Sequence, residues 1–440
     1  MAFNSSSLFA GRFVMSFARM FFLSALCSTM KFAQPFFVSA FCLSLVTVSA
    51  AQSSSTVQGP PHGFTQIAQL TTSDNSQGYF GAAAAISSDG STVAVGIGGG
   101  GWSRDHCAGS VYVYTKPASG WTSMTETAKL TASKENENNC LGVSVAISAD
   151  GGTVVAGALA AHSGQGAAYV FVKPASGWTS MTETAQLTGS DAYQGMGTSV
   201  AMSGHTAVVS SAGTTPAVYV FVEPATGWTN MSQTAKLTSS LSDSPGFGGK
   251  VAIDGNTIVV GGCSGQAFLY VEPKNGWTNS TQTARLALQG ASSDSVAVSG
   301  NTVVLGYPGL NGGNYPVGAA FVFVEPANGW TTMGPTATLT ASDNGEEEWV
   351  GWAVAVQGDQ VFAGAPCTDD GNGLPCQGAV YEFIRPSTGW TTTSTFSAKA
   401  VATNPVPGEL GFSVAYGGNF LLAGAPYGTL GVAYLFGPSN

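Results

Sequence analysis

Charge is the scarcest property of this chain. Only 9% of its 440 residues are Asp, Glu, Lys or Arg, and 14 basic residues face 24 acidic ones. A formal net charge of −10 excludes nucleic acid as a partner, because phosphate binding needs the opposite sign. Histidine occurs only as His62, His106, His162 and His205. No two of them have the spacing of a zinc helix, and no two-cysteine zinc pattern exists. A G-x-S-x-G nucleophile elbow is also missing. The stretch "GIGGGG" (96–101) satisfies G-x-G-x-x-G after a strand, yet "WSRDHCAGSVYVY" follows where a phosphate-holding helix would have to start. It reads as a flexible loop. These absences weigh against an enzyme, although acids from different loops could still converge for glycoside chemistry. What the chain does have is glycine, 59 of them, with Ala, Ser, Thr and Val. That profile suits a β-rich protein with many tight turns.

The first fifty residues differ from the rest. They hold Arg12, Arg19 and Lys31, no acid, and two apolar runs, the second ending in Ser49-Ala50 before "AQSSSTVQG". A basic region, an apolar region and a small-residue end describe a secretory signal over 1–50, with Met30 a possible true start. Gln34 and Pro35 interrupt the run and argue against an uncleaved membrane anchor. Residues 51–62 then form a short linker, and 63–440 a single domain, expected to be an exported monomer without stable membrane insertion. Losing those three basic residues moves the formal net charge from −10 to −13. Five cysteines remain, and in an oxidising compartment some should pair.

The line "GWTSMTETAKLTAS" at 120–133 returns almost unchanged at 177–190. Looser copies begin at Gly227, Gly276, Gly329 and Gly389, and a weak one, "GFTQIAQLTTSD", at Gly63, so seven lines recur 49 to 60 residues apart. Periods of this size signal propellers or solenoids. Each period holds four strand-like pieces, here called A, B, C and D. In the second period these are "GVSVAISAD" (142–150), "TVVAGA" (153–158), "AAYVFV" (167–172) and "TAQLT" (184–188). The third piece is apolar at consecutive positions, as a strand buried on both faces would be. Seven A–B–C triplets begin near Gly81, Gly142, Gly197, Gly248, Ser293, Gly351 and Gly411. The last lacks a D strand, and "TQIAQLT" (65–71) lacks a triplet. The expected fold is therefore all-β: a seven-bladed β-propeller of four-stranded antiparallel blades, closed when 65–71 completes blade seven.

Phe80-Gly81, Phe247-Gly248, Gly364-Ala365-Pro366, Gly424-Ala425-Pro426 and "SVAIS" (144–148) together resemble the FG-GAP repeat, the unit of integrin α-chain propellers, across residues 63–440. The resemblance implies a secreted, non-catalytic binding or adhesion module for a protein or glycan. A glycan hydrolase or lyase and a structural envelope component are the alternatives. Integrin-type blades often carry an Asp-rich calcium loop between strands A and B, but here those links are short turns such as "SADGG" and "SGHT" without enough oxygen ligands.

Strands alternate direction, so the B–C and D–A loops share one face, and they vary most. In blade six they bring Glu346 and Glu347 together with Asp369, Asp370 and Asn372. Solvated loop charge is the simpler reading, and an oxygen-rich site for Ca²⁺ the functional one. Cys367 and Cys376 bracket that B–C loop and are expected to pair. Cys107 and Cys140 could pair on the same face, leaving Cys263 over. His106 and His162 lie in B–C loops of neighbouring blades, where loop histidines are usually just solvated. Trp121, Trp178, Trp228, Trp277, Trp330 and Trp390 share one place in the C–D turn, which suits packing better than a ring of sugar-stacking platforms. Asn230 and Asn279 are glycosylation acceptors on that rim if the source is eukaryotic.

Overall fold

The computed structural model describes residues 63–75, 79–98, 109–133, 139–190, 195–213, 215–241, 246–262, 266–288, 295–309, 317–343, 348–368, 376–403, 408–427 and 431–439. These form seven sheets, each with strands A to D hydrogen-bonded in order. In blade two the strands are Leu141–Ile147, Thr153–Ala158, Ala167–Val172 and Ala185–Thr188. The A strands of neighbouring blades touch in a closed circuit that returns from blade seven to blade one. The seven-bladed propeller expected from the repeats is the architecture found. His62–Asn440 is one compact unit.

Ring closure follows the expected route. Phe64–Thr71 pairs antiparallel with Val432–Pro438, from Phe64 opposite Pro438 to Leu70 opposite Ala433. Blade seven thus takes its strands from both ends of the domain.

The consecutive apolar residues of the C strands serve two cores at once. Side chains alternate across a strand, so Val111 and Val113 join the cluster between blades one and two. Tyr112 and Tyr114, between them in sequence, join the cluster between blades seven and one. Seven such clusters occupy the seven blade junctions.

The repeated line proves more elaborate than a turn followed by one strand. Each of its six tryptophans is buried, with 5–7% of its surface exposed. Trp121 and Trp178 donate from Nε1 to the carbonyls of Gly90 and Gly151 in their own A–B turns, both at 3.0 Å. Two residues after each tryptophan, a side-chain oxygen accepts a backbone N–H from the preceding blade's D strand. The acceptors are Ser123, Ser180, Asn230, Asn279, Thr332 and Thr392, at 2.7–3.3 Å. Beside this latch, Met124–Thr125 runs parallel to Leu70–Thr71, and equivalent two-residue strands join blades one, two and three. The four-strand pattern therefore gains a short fifth strand in four blades, because the outer face of strand D would otherwise present unpaired backbone groups.

Candidate functional site

The FG and GAP glycines mark places where two blades meet main chain to main chain. A Cβ built on Gly424 would lie 1.9 Å from the carbonyl oxygen of Gly81, and one on Gly364 would lie 2.0 Å from that of Gly411. The GAP glycine of one blade thus sits on the FG glycine of the next. Ser413, Ser144 and Ser295 reinforce three of these junctions by donating to the carbonyls of Gly81, Gly197 and Gly351 at 2.7–2.9 Å.

Two residues before that glycine, the D–A loop passes through the left-handed region. Gly195 and Gly246 occupy this place with φ of 62° and 72°. Elsewhere it is held by Tyr79, Cys140, Trp349 and Glu409, with φ between 55° and 60°. A left-handed φ costs a residue with a side chain on the order of 1–2 kcal/mol. Four blades therefore accept strain that glycine would relieve: Cys140 is buried and disulfide-bonded, whereas Tyr79, Trp349 and Glu409 stay half-buried on the B–C/D–A loops.

The aromatic members of this set are continued by others. Trp349 stacks on Trp352 with centroids 5.7 Å apart, and Trp352 meets Phe412 at 5.3 Å. Phe412 meets Tyr427 at 5.5 Å, and Tyr427 meets Tyr79 at 5.1 Å. Five half-buried rings thereby form an arc from blade six through blade seven to blade one. The matching places in blades three and four carry Gly195, Thr198, Gly246 and Gly249. The repeat pattern alone does not disclose this arc. Its signal lies in the aromatic residues flanking the FG glycine, which occur in only some copies.

Blade six carries buried polar chemistry beneath one end of the arc. Glu348 is 3% exposed, and the Tyr381 hydroxyl lies 3.4 Å from its Oε2. Burial, then the charges of Glu348 and Asp343, push the Tyr381 hydroxyl well above the usual tyrosine range. Lys399 pairs with Asp343 at 2.8 Å and lies over the Tyr381 ring at 5.0 Å. Blade one repeats the arrangement: Lys129 pairs with Asp74 at 2.6 Å, and Tyr112 donates to the same carboxylate at 3.0 Å. Burial lowers the Lys129 pKa, but hydrogen bonding to Asp74 and Tyr112 outweighs it and the net shift is upward. These clasps tie strands C and D to the loop entering their own blade.

The Cys367–Cys376 disulfide is present. The main chain at Cys376 and Gln377 accepts N–H bonds from Glu409 and Leu410 at 3.1 and 3.0 Å, so this staple supports the loop that leads to Phe412. Cys140 is also disulfide-bonded. Its expected partner Cys107 lies outside the described residues, as do Cys263, His106, Glu346, Glu347, Asp369, Asp370 and Asn372. Among the described residues no cluster of metal-binding side chains occurs, and no helix is long and apolar enough to cross a membrane. His162 is described, with a left-handed φ of 54° and a close contact to Gln186. Asn230 and Asn279 are occupied as rim latches through Oδ1.

The fold and this loop-built face define a β-propeller of the repeat-protein kind. Two stretches, residues 124–171 and 333–383, match the FG-GAP repeat, as the glycine motifs implied. No curated protein matches the chain. Among solved structures, a chain in the crystal structure of the mitotic checkpoint complex superposes with a TM-score of 0.54 at 15% identity, covering 88% of this chain and 99% of that one. At that identity the likeness concerns the fold alone. Matches extend to 761 solved chains, so the architecture is too widely used to indicate a ligand.

Proposed function

We propose that the chain is an exported, non-catalytic binding module that engages a protein or glycan through the B–C and D–A loops of one propeller face. One observation carries the reading: the blades share their rim and glycine junctions but differ at this face, where Tyr79, Trp349 and Glu409 hold a strained left-handed φ at places that blades three and four give to glycine. In a repeat protein, shared features serve packing that every blade needs, and departures from the repeat are free to serve a ligand. Export accords with the disulfide bonding of Cys367, Cys376 and Cys140 and with the signal-like residues 1–50. In this reading the sequence motif Glu346, Glu347, Asp369, Asp370 and Asn372 of the blade-six loops supplies the oxygen ligands for a Ca²⁺ ion that assists the ligand.

The test is an array of glycans and extracellular proteins probed with the purified domain, with and without chelator. Saturable binding is expected, lost when the blade-six loops are replaced by those of blade three and kept in the rim variant Asn279→Ala. Binding that ignores the loop replacement, or turnover of any glycan on the array, would overturn the reading. Chelator sensitivity that disappears with Asp369→Asn and Asp370→Asn would assign the cation.

A further inference from the structure

We propose that the outer edge of strand D in blade six is a docking site for an extended segment of another protein, added to the sheet as a parallel strand. This surface is additional to the loop face, and its failure leaves the loop-face reading untouched. The other six D strands show what such an edge holds. In blade four, Arg285 N–H donates to the Thr332 hydroxyl at 3.3 Å, Met333 N–H to the Arg285 carbonyl at 3.1 Å and Ala287 N–H to the Met333 carbonyl at 2.9 Å. In blade five, Thr338, Thr392, Thr393 and Thr340 repeat the three bonds at 3.0–3.1 Å. Blades seven, one, two and three receive the same side-chain latch beside a two-residue parallel strand. Each cover is the C–D line of the next blade.

Blade six is the exception. Its strand D, Ala398–Ala400, pairs inward with strand C, and no described residue pairs with its outer side. Strand C of blade seven ends at Pro438 and its strand D starts at Phe64, so no C–D line crosses from there to blade six. Lys399 N–H, the Lys399 carbonyl and Val401 N–H stand where blades four and five make the three bonds. Nothing among the described residues meets them on that side. Only Thr403 is reached, its N–H donating to Gln66 Oε1 at 2.9 Å. Val401 is 47% exposed, whereas Thr71, Thr131, Thr188, Thr238, Ala287 and Thr340 at the same place are half-buried. Lys399, whose charge could guard an open edge, is instead tied to Asp343 at 2.8 Å.

The occupant follows from the interface that the ring already makes six times, of which this edge is the continuation. It needs Ser, Thr or Asn to accept from Lys399 N–H, then a residue with both N–H and C=O free, which excludes proline. The weak copy of the line cannot supply these groups. Gly63 takes the place of Ser123 and has no side chain, while Phe64 and Thr65, in the place of Met124 and Thr125, are paired with Pro438 and Gly437. A second copy of the chain fits no better. Its six full lines are engaged in latches, Ala398–Val401 offers no side-chain oxygen, and two chains of net charge −10 repel each other.

Fluorescence anisotropy on the exported chain, residues 51–440, tests this with a labelled peptide that copies the line at 177–184, GWTSMTET. Saturable binding is expected. Within the peptide, Ser180→Ala removes the acceptor and Met181→Pro the donor, and each should weaken binding about tenfold. In the protein, Val401→Pro removes an N–H that has no partner among the described residues. It should block binding with little change in unfolding temperature, as proline is tolerated where an edge N–H faces solvent, while Val401→Thr should retain binding. No saturable binding, or binding indifferent to both Val401→Pro and Met181→Pro, would overturn the proposal. Binding that appears only in a chain starting at residue 63 would assign the edge to residues 51–62 and overturn the foreign partner. Self-association in analytical ultracentrifugation that is lost on Val401→Pro would overturn it in favour of a second copy.

Discussion

At Gly364 and Gly424 the missing side chain is itself the contact. The Gly81 carbonyl oxygen stands 1.9 Å from where a Cβ on residue 424 would be. Gly424→Ala must therefore push two blades apart, and a loss of about 3 kcal/mol is expected in urea unfolding. Gly120→Ala, whose Cβ would meet nothing within 4 Å, should cost only the left-handed backbone penalty of about 1 kcal/mol. Equal losses at the two sites would refute the close-approach argument. The A–B turns of blades one and two make a second prediction. Hydrogen bonds from Ser87 and Ser148, at 2.6 and 2.5 Å, hold the carboxyls of Asp89 and Asp150 below the usual aspartate range. A depressed folded-state pKa stabilises above the unfolded value near 4 and is lost as pH falls through the folded value. The double variant Asp89→Asn, Asp150→Asn should therefore melt lower than wild type at neutral pH, with the gap closing on acidification below about pH 4. The glycine motif is legible in sequence because it recurs. The strained residues two places before it are not, since Tyr, Cys, Trp and Glu share no chemistry and only their common φ reveals the position.

Two elements hold the ring shut, and they differ in how plainly the sequence declares them. Strand 64–71 is legible as a D strand without a triplet. Its removal should leave blade seven with three strands and a bare edge, so a chain lacking residues 63–71 is expected to aggregate or oligomerise on size-exclusion chromatography. A well-folded monomer with the parent's unfolding temperature would show that closure does not depend on that strand. The rim latch is hidden, because its acceptors are Ser, Asn and Thr, residues common in any turn. Each makes one inter-blade hydrogen bond on an exposed rim, so Asn230→Ala and Asn279→Ala should each cost about 1 kcal/mol in urea unfolding. Both asparagines fit the glycosylation pattern, yet their side-chain oxygens serve the neighbouring blade.

Across the whole molecule, stability resides in seven equivalent clusters between blades. The buried tyrosines of these junctions report on it. Burial pushes Tyr114, Tyr270 and Tyr381 far above the usual tyrosine range, and Tyr114 and Tyr270 donate to the carbonyls of Thr71 and Thr238 at 2.7 and 2.8 Å. A raised folded-state pKa gives stability that is present below the unfolded value near 10 and is lost as pH rises further. Phenolate absorbance should therefore lag for these residues on alkaline titration and appear together with loss of circular dichroism. Their ionisation in a protein that remains folded would contradict the burial argument.

The sequence by itself determined the blade count, the strand order and the route of closure. Those follow from a repeat period, from consecutive apolar residues in the C strands, and from one D strand stranded at the start of the domain, all of which are local patterns. Only the tertiary structure decided which residues meet across blades. Trp349, Trp352, Phe412, Tyr427 and Tyr79 are scattered through the chain, and ring closure alone brings the first and last blades together. Spacing along a chain carries no information about contacts made by closing it, so the arc could be seen only in the folded ring.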